Sequence, residues 1–114
     1  MAFVDRFQLA VEERGSTLFL RLMGEFDLAA VGRVEQALGP VFEAAAARRV
    51  VFDLRRVTFL DVAGLRTIIR ANEGARARAF ELVVVRPRGT ANRVFTLTRA
   101  GEKLKMIDEP EGKA

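Results

Sequence analysis

The 114 residues contain no cysteine and no histidine. Without cysteine there is no disulfide, no thiolate metal site and no cysteine nucleophile. Without histidine the commonest general base and the commonest zinc ligand are missing, and a Ser-His-Asp triad cannot be assembled. Serine is nearly absent too, Ser16 being the only one. No apolar run approaches the roughly 18 to 20 residues of a membrane-spanning helix, and the first dozen residues carry Asp5, Arg6, Glu12 and Glu13 in place of a basic start and greasy stretch. These absences point to a cytoplasmic protein that is not an enzyme, inserts in no membrane and needs neither metal nor cofactor.

What is present is an ordinary globular mixture, 50% hydrophobic and 30% charged, in a chain long enough for one core. A domain of this size buries roughly 65% of the surface its unfolded form exposes. The net charge of +4 is unevenly placed, with Arg66, Arg70, Arg76, Arg78, Arg86, Arg88 and Arg93 set against Glu73 and Glu81 in one stretch. A nucleic-acid reader would interleave aromatic residues with such cations, and only Phe80 does so. The stretch therefore reads as solvated surface, with a nucleic-acid-binding surface kept as an alternative.

Periodicity orders the chain. Phe7, Leu9 and Val11 alternate with polar neighbours, as do Leu18, Leu20 and Leu22 after the break at Arg14-Gly15-Ser16, predicting an opening hairpin. Val31, Val34, Leu38, Val41 and Phe42 form a helical stripe, with Asp27 ahead of it as N-cap and a kink or restart expected at Pro40. Ala44–Ala47 has the propensity to carry that helix to Arg48. Val50–Leu54 reads as a strand buried on both faces. Asp61 then caps a helix over Val62, Leu65, Ile68 and Ile69, which Gly74 closes or frays. Phe80–Val85 is another buried strand. A short helix from Thr90 buries Val94 and Leu97 and stops at Gly101. Leu104, Met106 and Ile107 suit a last strand, and 110–114 reads as a flexible tail. The order β-β-α-β-α-β-α-β implies one α/β domain over 1–109, a mixed sheet with helices packed on it.

Three segments together resemble the STAS domains of bacterial anti-sigma-factor antagonists: Gly24-Glu25-Phe26-Asp27, Val50-Val51-Phe52-Asp53-Leu54, and Val57-Thr58-Phe59-Leu60-Asp61-Val62-Ala63-Gly64-Leu65. The resemblance implies a docking module for an anti-sigma factor that is also a serine kinase. In that family the turn after the second aspartate usually carries two hydroxyl residues, the second phosphorylated to release the partner. Here those positions are Val62 and Ala63, neither of which accepts a phosphate. Ala63, the degenerate phosphoacceptor position, is closest in charge and volume to the unphosphorylated serine. The expected contact set is Asp27, Leu28, Asp61, Val62, Ala63, Gly64 and Arg66. The bland reading stands beside it: Asp27 and Asp61 as helix caps, Val62 and Leu65 as core or its edge, Arg66 and Arg70 as exposed charge. Thr67, one turn further along the helix, is the nearest substitute hydroxyl. A soluble STAS subunit of a transporter or scaffold complex is the alternative within the family. The resemblance also implies a final helix that is short or missing here, so apolar sheet surface is expected to lie uncovered and to favour a homodimer or an edge-strand contact, unless Phe3 and Val4 fold back over it.

Overall fold

A computed structural model describes residues 6–44 and 48–110. Strands β1 (Phe7–Arg14) and β2 (Thr17–Phe26) form an antiparallel hairpin, and α1 (Leu28–Ala44) leads to β3 (Arg49–Leu60). Helix α2 (Val62–Ala77), β4 (Glu81–Val85), α3 (Thr90–Thr98), a 3-10 turn at Ala100–Glu102 and β5 (Lys105–Ile107) complete the expected order. The five strands lie side by side in chain order, and every pair after the hairpin is parallel. Among the described residues no helix follows β5.

Alternation along the strands divides the sheet into two faces. Val50, Phe52, Leu54, Leu82 and Val84 join Leu18, Leu20 and Leu22 in one core with Ala30, Val34 and Leu38 of α1, Leu65, Ile68 and Ala71 of α2, and Ala91 and Phe95 of α3. The intervening Val51, Asp53, Val83 and Val85 point to the other face and are buried as well. Beside them on that face, by register, stand Arg21, Arg49, Glu81 and Lys105. Phe19 and Ile107 also stand on that face, half-buried, and no large apolar side chain is exposed there among the described residues, so nothing on this face supports the expected homodimer.

Beyond Leu54 the alternation breaks. Arg21 pairs with Asp53 but Met23 with Arg56, and Gly24 pairs with Val57 but Glu25 with Phe59, so β3 holds an extra residue at each of two bulges. Leu54, Val57 and Leu60 consequently face one core at three-residue spacing. The strand was expected to stop at Leu54 because that spacing is not the period of a strand.

Other local expectations shift for identifiable reasons. Helix α1 continues through Pro40 to Ala44 without a restart, since Leu38 is buried and Val41 and Phe42 pack on the core across the break. Its expected extension over 45–47 falls outside the described residues, as do Phe3, Val4 and the tail beyond Pro110. Gly74 does not end α2, which runs to Ala77; its missing side chain makes room for the Phe42 ring, 3.2 Å from where a Cβ would stand. Val11 is exposed, because α1 meets β1 near Phe7, where Arg33 donates to the Phe7 carbonyl at 2.8 Å. In α3 Val94 packs against the core as expected, beside buried Ala91 and Phe95, whereas Leu97 is exposed. That helix stops at Arg99, in the left-handed region at φ 58°, before Gly101 is reached.

Candidate functional site

Two helices begin at one rim of the sheet. Phe26 at the end of β2 pairs with Leu60 at the end of β3, so Asp27 and Asp61 emerge from adjacent parallel strands, each at the start of a helix. In open α/β sheets the carboxyl ends of the strands are where such loops gather and where ligands bind. The Asp27 carboxylate accepts a hydrogen bond from the Ala29 N–H at 3.1 Å, and Asp61 accepts one from the Gly64 N–H at 2.9 Å. Both aspartates are thus helix caps, as the structural reading expected.

Two glycines allow close backbone approaches around this rim. Gly24 has φ +91°, and a Cβ there would stand 2.1 Å from the Arg6 carbonyl oxygen, which accepts the Glu25 N–H at 2.7 Å. A side chain is excluded on both counts. At Gly64 a Cβ would stand 2.5 Å from the Phe26 carbonyl oxygen and 2.7 Å from Leu60 Cδ1. The first turn of α2 therefore lies directly on the end of β2, which explains a glycine at that point of the Asp-x-x-Gly-Leu turn.

Around these caps the surface is partly apolar. Leu28 is 73% exposed and Val62 60%, while Phe59, next to last in β3, is 49% exposed. Ala63 is half-buried, Arg66 and Arg70 are exposed, and Gly64 and Leu65 are buried. Val62 is therefore not core, against the structural reading, whereas Leu65 is. Thr67 is closed to modification: it is buried, and its hydroxyl donates to the Ala63 carbonyl at 2.9 Å. Ser16 sits in the hairpin turn before Thr17, at the other end of β2 from this rim. Phe59 was missed in the sequence because it stands in a strand too irregular to be read as one.

The second cluster that sequence reasoning missed lies on the face opposite the helices. Buried Asp53 accepts from Arg55 Nε at 3.0 Å, from Arg55 Nη2 at 2.8 Å and from the Arg55 backbone N–H at 3.1 Å, with Arg21 Nε 3.7 Å away. Burial pushes the Asp53 carboxyl up, but the Arg55 hydrogen bonds and the charges of Arg55 and Arg21 prevail and hold it below its ordinary value. Arg21, Met23, Asp53, Arg55, Arg56 and Arg88 line a cavity of about 470 Å³. Of the seven arginines between 66 and 93, only Arg88 is among them. The others are dispersed: Arg86 pairs with Asp108 at 3.1 Å, and Arg78 lies over the Phe42 ring. No cluster of acidic side chains suited to a metal occurs among the described residues, and no described helix is long and apolar enough to cross a membrane.

A mixed five-stranded sheet with two capped helix starts at one rim is the architecture of a small single α/β domain. Residues 8–112 match the STAS domain, and the chain belongs to that family. Its fold is similar to that of the anti-sigma factor antagonist SpoIIAA in its unphosphorylated form, with a TM-score of 0.79 and 23% identity over 91% of this chain and 90% of that one. It is also similar to an anti-sigma factor antagonist from Mycobacterium paratuberculosis, with a TM-score of 0.80 and 26% identity over 96% of this chain and 92% of the other. The phosphorylated form of the Bacillus cell fate determinant SpoIIAA gives a TM-score of 0.74 at 23% identity, covering 91% of this chain and 93% of that chain. A regulatory binding role follows from the family and its antagonist neighbours.

Proposed function

We propose that this protein is a non-enzymatic docking module that binds an anti-sigma factor with serine-kinase character through the rim of Asp27, Leu28, Asp61, Val62, Ala63, Gly64 and Arg66, and that the rim carries no phosphorylation switch. The observation behind this reading is exposed apolar surface, at Leu28, Phe59 and Val62, in an exposed setting where two helices start. Solvated leucine, phenylalanine and valine gain free energy when a partner covers them. Neighbouring Arg66 and Arg70 would meet acidic groups on that partner and raise the rate of encounter.

The phosphate logic gives the second half of the proposal. A phosphoryl group on residue 63 would add about −1.5 to −2 charge and three acceptor oxygens. Helix N-termini attract such a group locally, but the Asp27 and Asp61 carboxylates and any apolar surface docked on Val62 would oppose it. Ala63 has no atom to modify, so the surface stays in its binding form. The module then acts in transcriptional signalling, in the cytoplasm, under control exerted elsewhere.

The test mixes the protein with an anti-sigma serine kinase of this family, with and without ATP, and measures complex formation by calorimetry. Wild type should bind equally in both, and Val62→Asp should weaken binding at least tenfold. The double variant Val62→Ser, Ala63→Ser should gain phosphate at residue 63 and lose affinity when ATP is present. ATP-dependent release of the wild type, or no response to Val62→Asp, would overturn the reading. A pull-down that returns a transporter ATPase in place of a kinase would instead assign the module to such a complex.

A further inference from the structure

The face of the sheet remote from the helices carries charged groups that the rim does not use. A regular strand would send Arg55 and Arg56 to opposite sides, and Arg56 would then enter the core beside Leu54. The first bulge of β3 prevents this, because Met23 pairs with Arg56 where regular pairing would bring Arg55. Both arginines are thereby delivered to the lining of one cavity, where they meet Arg21 from β2 and Arg88 from the loop after β4. Bulges re-aim side chains in this way, and they are over-represented beside functional sites.

The cations in this cavity are of two kinds. Arg55 is held in place by two side-chain hydrogen bonds to buried Asp53, lies 3.7 Å from Glu109, and has Arg21 on the far side of the same carboxylate. Arg56 and Arg88 are exposed and make no ion pair among the described residues. Four guanidiniums thus converge on a space where the two carboxylates within reach, Asp53 and Glu109, are engaged by Arg55 and Arg21, and the exposed Arg56 and Arg88 add charge that neither offsets. Like charges brought together without a counter-ion repel one another, so a bound anion would relieve this arrangement. Guanidinium forks match the oxygens of phosphate in pairs, and the Asp53 anchor fixes Arg55 before any ligand arrives. A volume of about 470 Å³ is that of a small-molecule site, and Met23 is its only apolar wall.

We propose that this cavity binds a small phosphate-bearing anion, held by Arg56 and Arg88 with Arg55 and Arg21 behind them. The site lies on the opposite face of the sheet from the helices and does not depend on the docking role of the rim.

Sodium pyrophosphate titrated at pH 7 and constant ionic strength into isotope-labelled protein, followed by amide and arginine Nε resonances, tests the proposal. Saturable shifts should appear at Asp53–Val57 and around Arg88. The double variant Arg56→Ala, Arg88→Ala should bind at least tenfold more weakly, while Arg76→Ala with Arg93→Ala, both exposed and outside the cavity and the rim, should bind as wild type does. Dispersed amide spectra establish that each variant is folded, and Arg88→Lys, which keeps the charge without the fork, should fall between wild type and Arg88→Ala. Shifts that grow linearly with pyrophosphate, or that appear equally at Arg76 and Arg93, or that survive in the Arg56, Arg88 double variant, would each overturn it.

Discussion

The rim and the opposite sheet face use carboxylates in contrasting ways. At the rim, Asp27 and Asp61 accept N–H groups from their own helix starts, and the side chains around them are exposed and largely uncharged. On the sheet face, Asp53 is 4% exposed and serves as counter-ion to Arg55 and Arg21. An aspartate that caps a helix adds a modest local stabilisation, whereas a buried aspartate under two guanidiniums is a structural commitment. The comparison teaches that a carboxylate's position in the fold, more than its neighbours in sequence, decides what its loss would do.

Removal of Asp53 is expected to have the largest effect. Asp53→Ala removes the carboxylate that accepts three hydrogen bonds from Arg55, and urea unfolding should show a loss of about 2 to 3 kcal/mol, in the range for hydrogen bonds to a charged group. The pH dependence sharpens the contrast. The folded Asp53 carboxyl lies below its ordinary value, so its contribution is complete above about pH 4 and fades as pH falls through the ordinary carboxylate range towards the folded value. Unfolding of the wild type between pH 5 and pH 2 should therefore steepen with acid, and Asp53→Asn should lack that part of the slope. An Asp53→Asn profile parallel to wild type would overturn this account of Asp53.

Gly64→Ala comes next. The added methyl meets the Phe26 carbonyl oxygen and Leu60 Cδ1 at distances no relaxed structure tolerates, so the first turn of α2 must move off β2. A loss of about 2 kcal/mol in urea unfolding is expected, within the range for overpacking. Binding at the rim should fall with it, because Val62 and Ala63 ride on the same turn. The smallest effect is that of Asp61→Ala, about 1 kcal/mol for a lost N-cap. Asp61→Asn or Asp61→Ser, which still accept the Gly64 N–H, should recover most of it in the same measurement.

Much of the architecture was legible in the sequence because its signals are local. Two-residue alternation marked the hairpin, three- and four-residue stripes marked α1 and α2, and Asp27 and Asp61 announced the helix starts they cap. The Gly24-Glu25-Phe26-Asp27 and Asp61–Gly64 segments carried the resemblance that the family match upholds. The second half of β3 was not legible, since two bulges give Leu54, Val57 and Leu60 a spacing that belongs to neither strand nor helix. The same irregularity hid exposed Phe59 at the rim and the convergence of Arg55 and Arg56. Counting arginines along the chain pointed to residues 66–93, whereas three of the four that line the cavity lie before residue 60.

The sequence alone determined the element order, the helix caps and the aliphatic character of residues 62 and 63, all of which depend on neighbours within a few positions. Tertiary structure decided that Thr67 is closed, that Val62 and Leu28 face solvent, and that Arg21, Arg55, Arg56 and Arg88 share one cavity. Those outcomes depend on which strands lie side by side and on where the extra residues of β3 are absorbed. Such pairings are settled by packing between segments far apart in the chain.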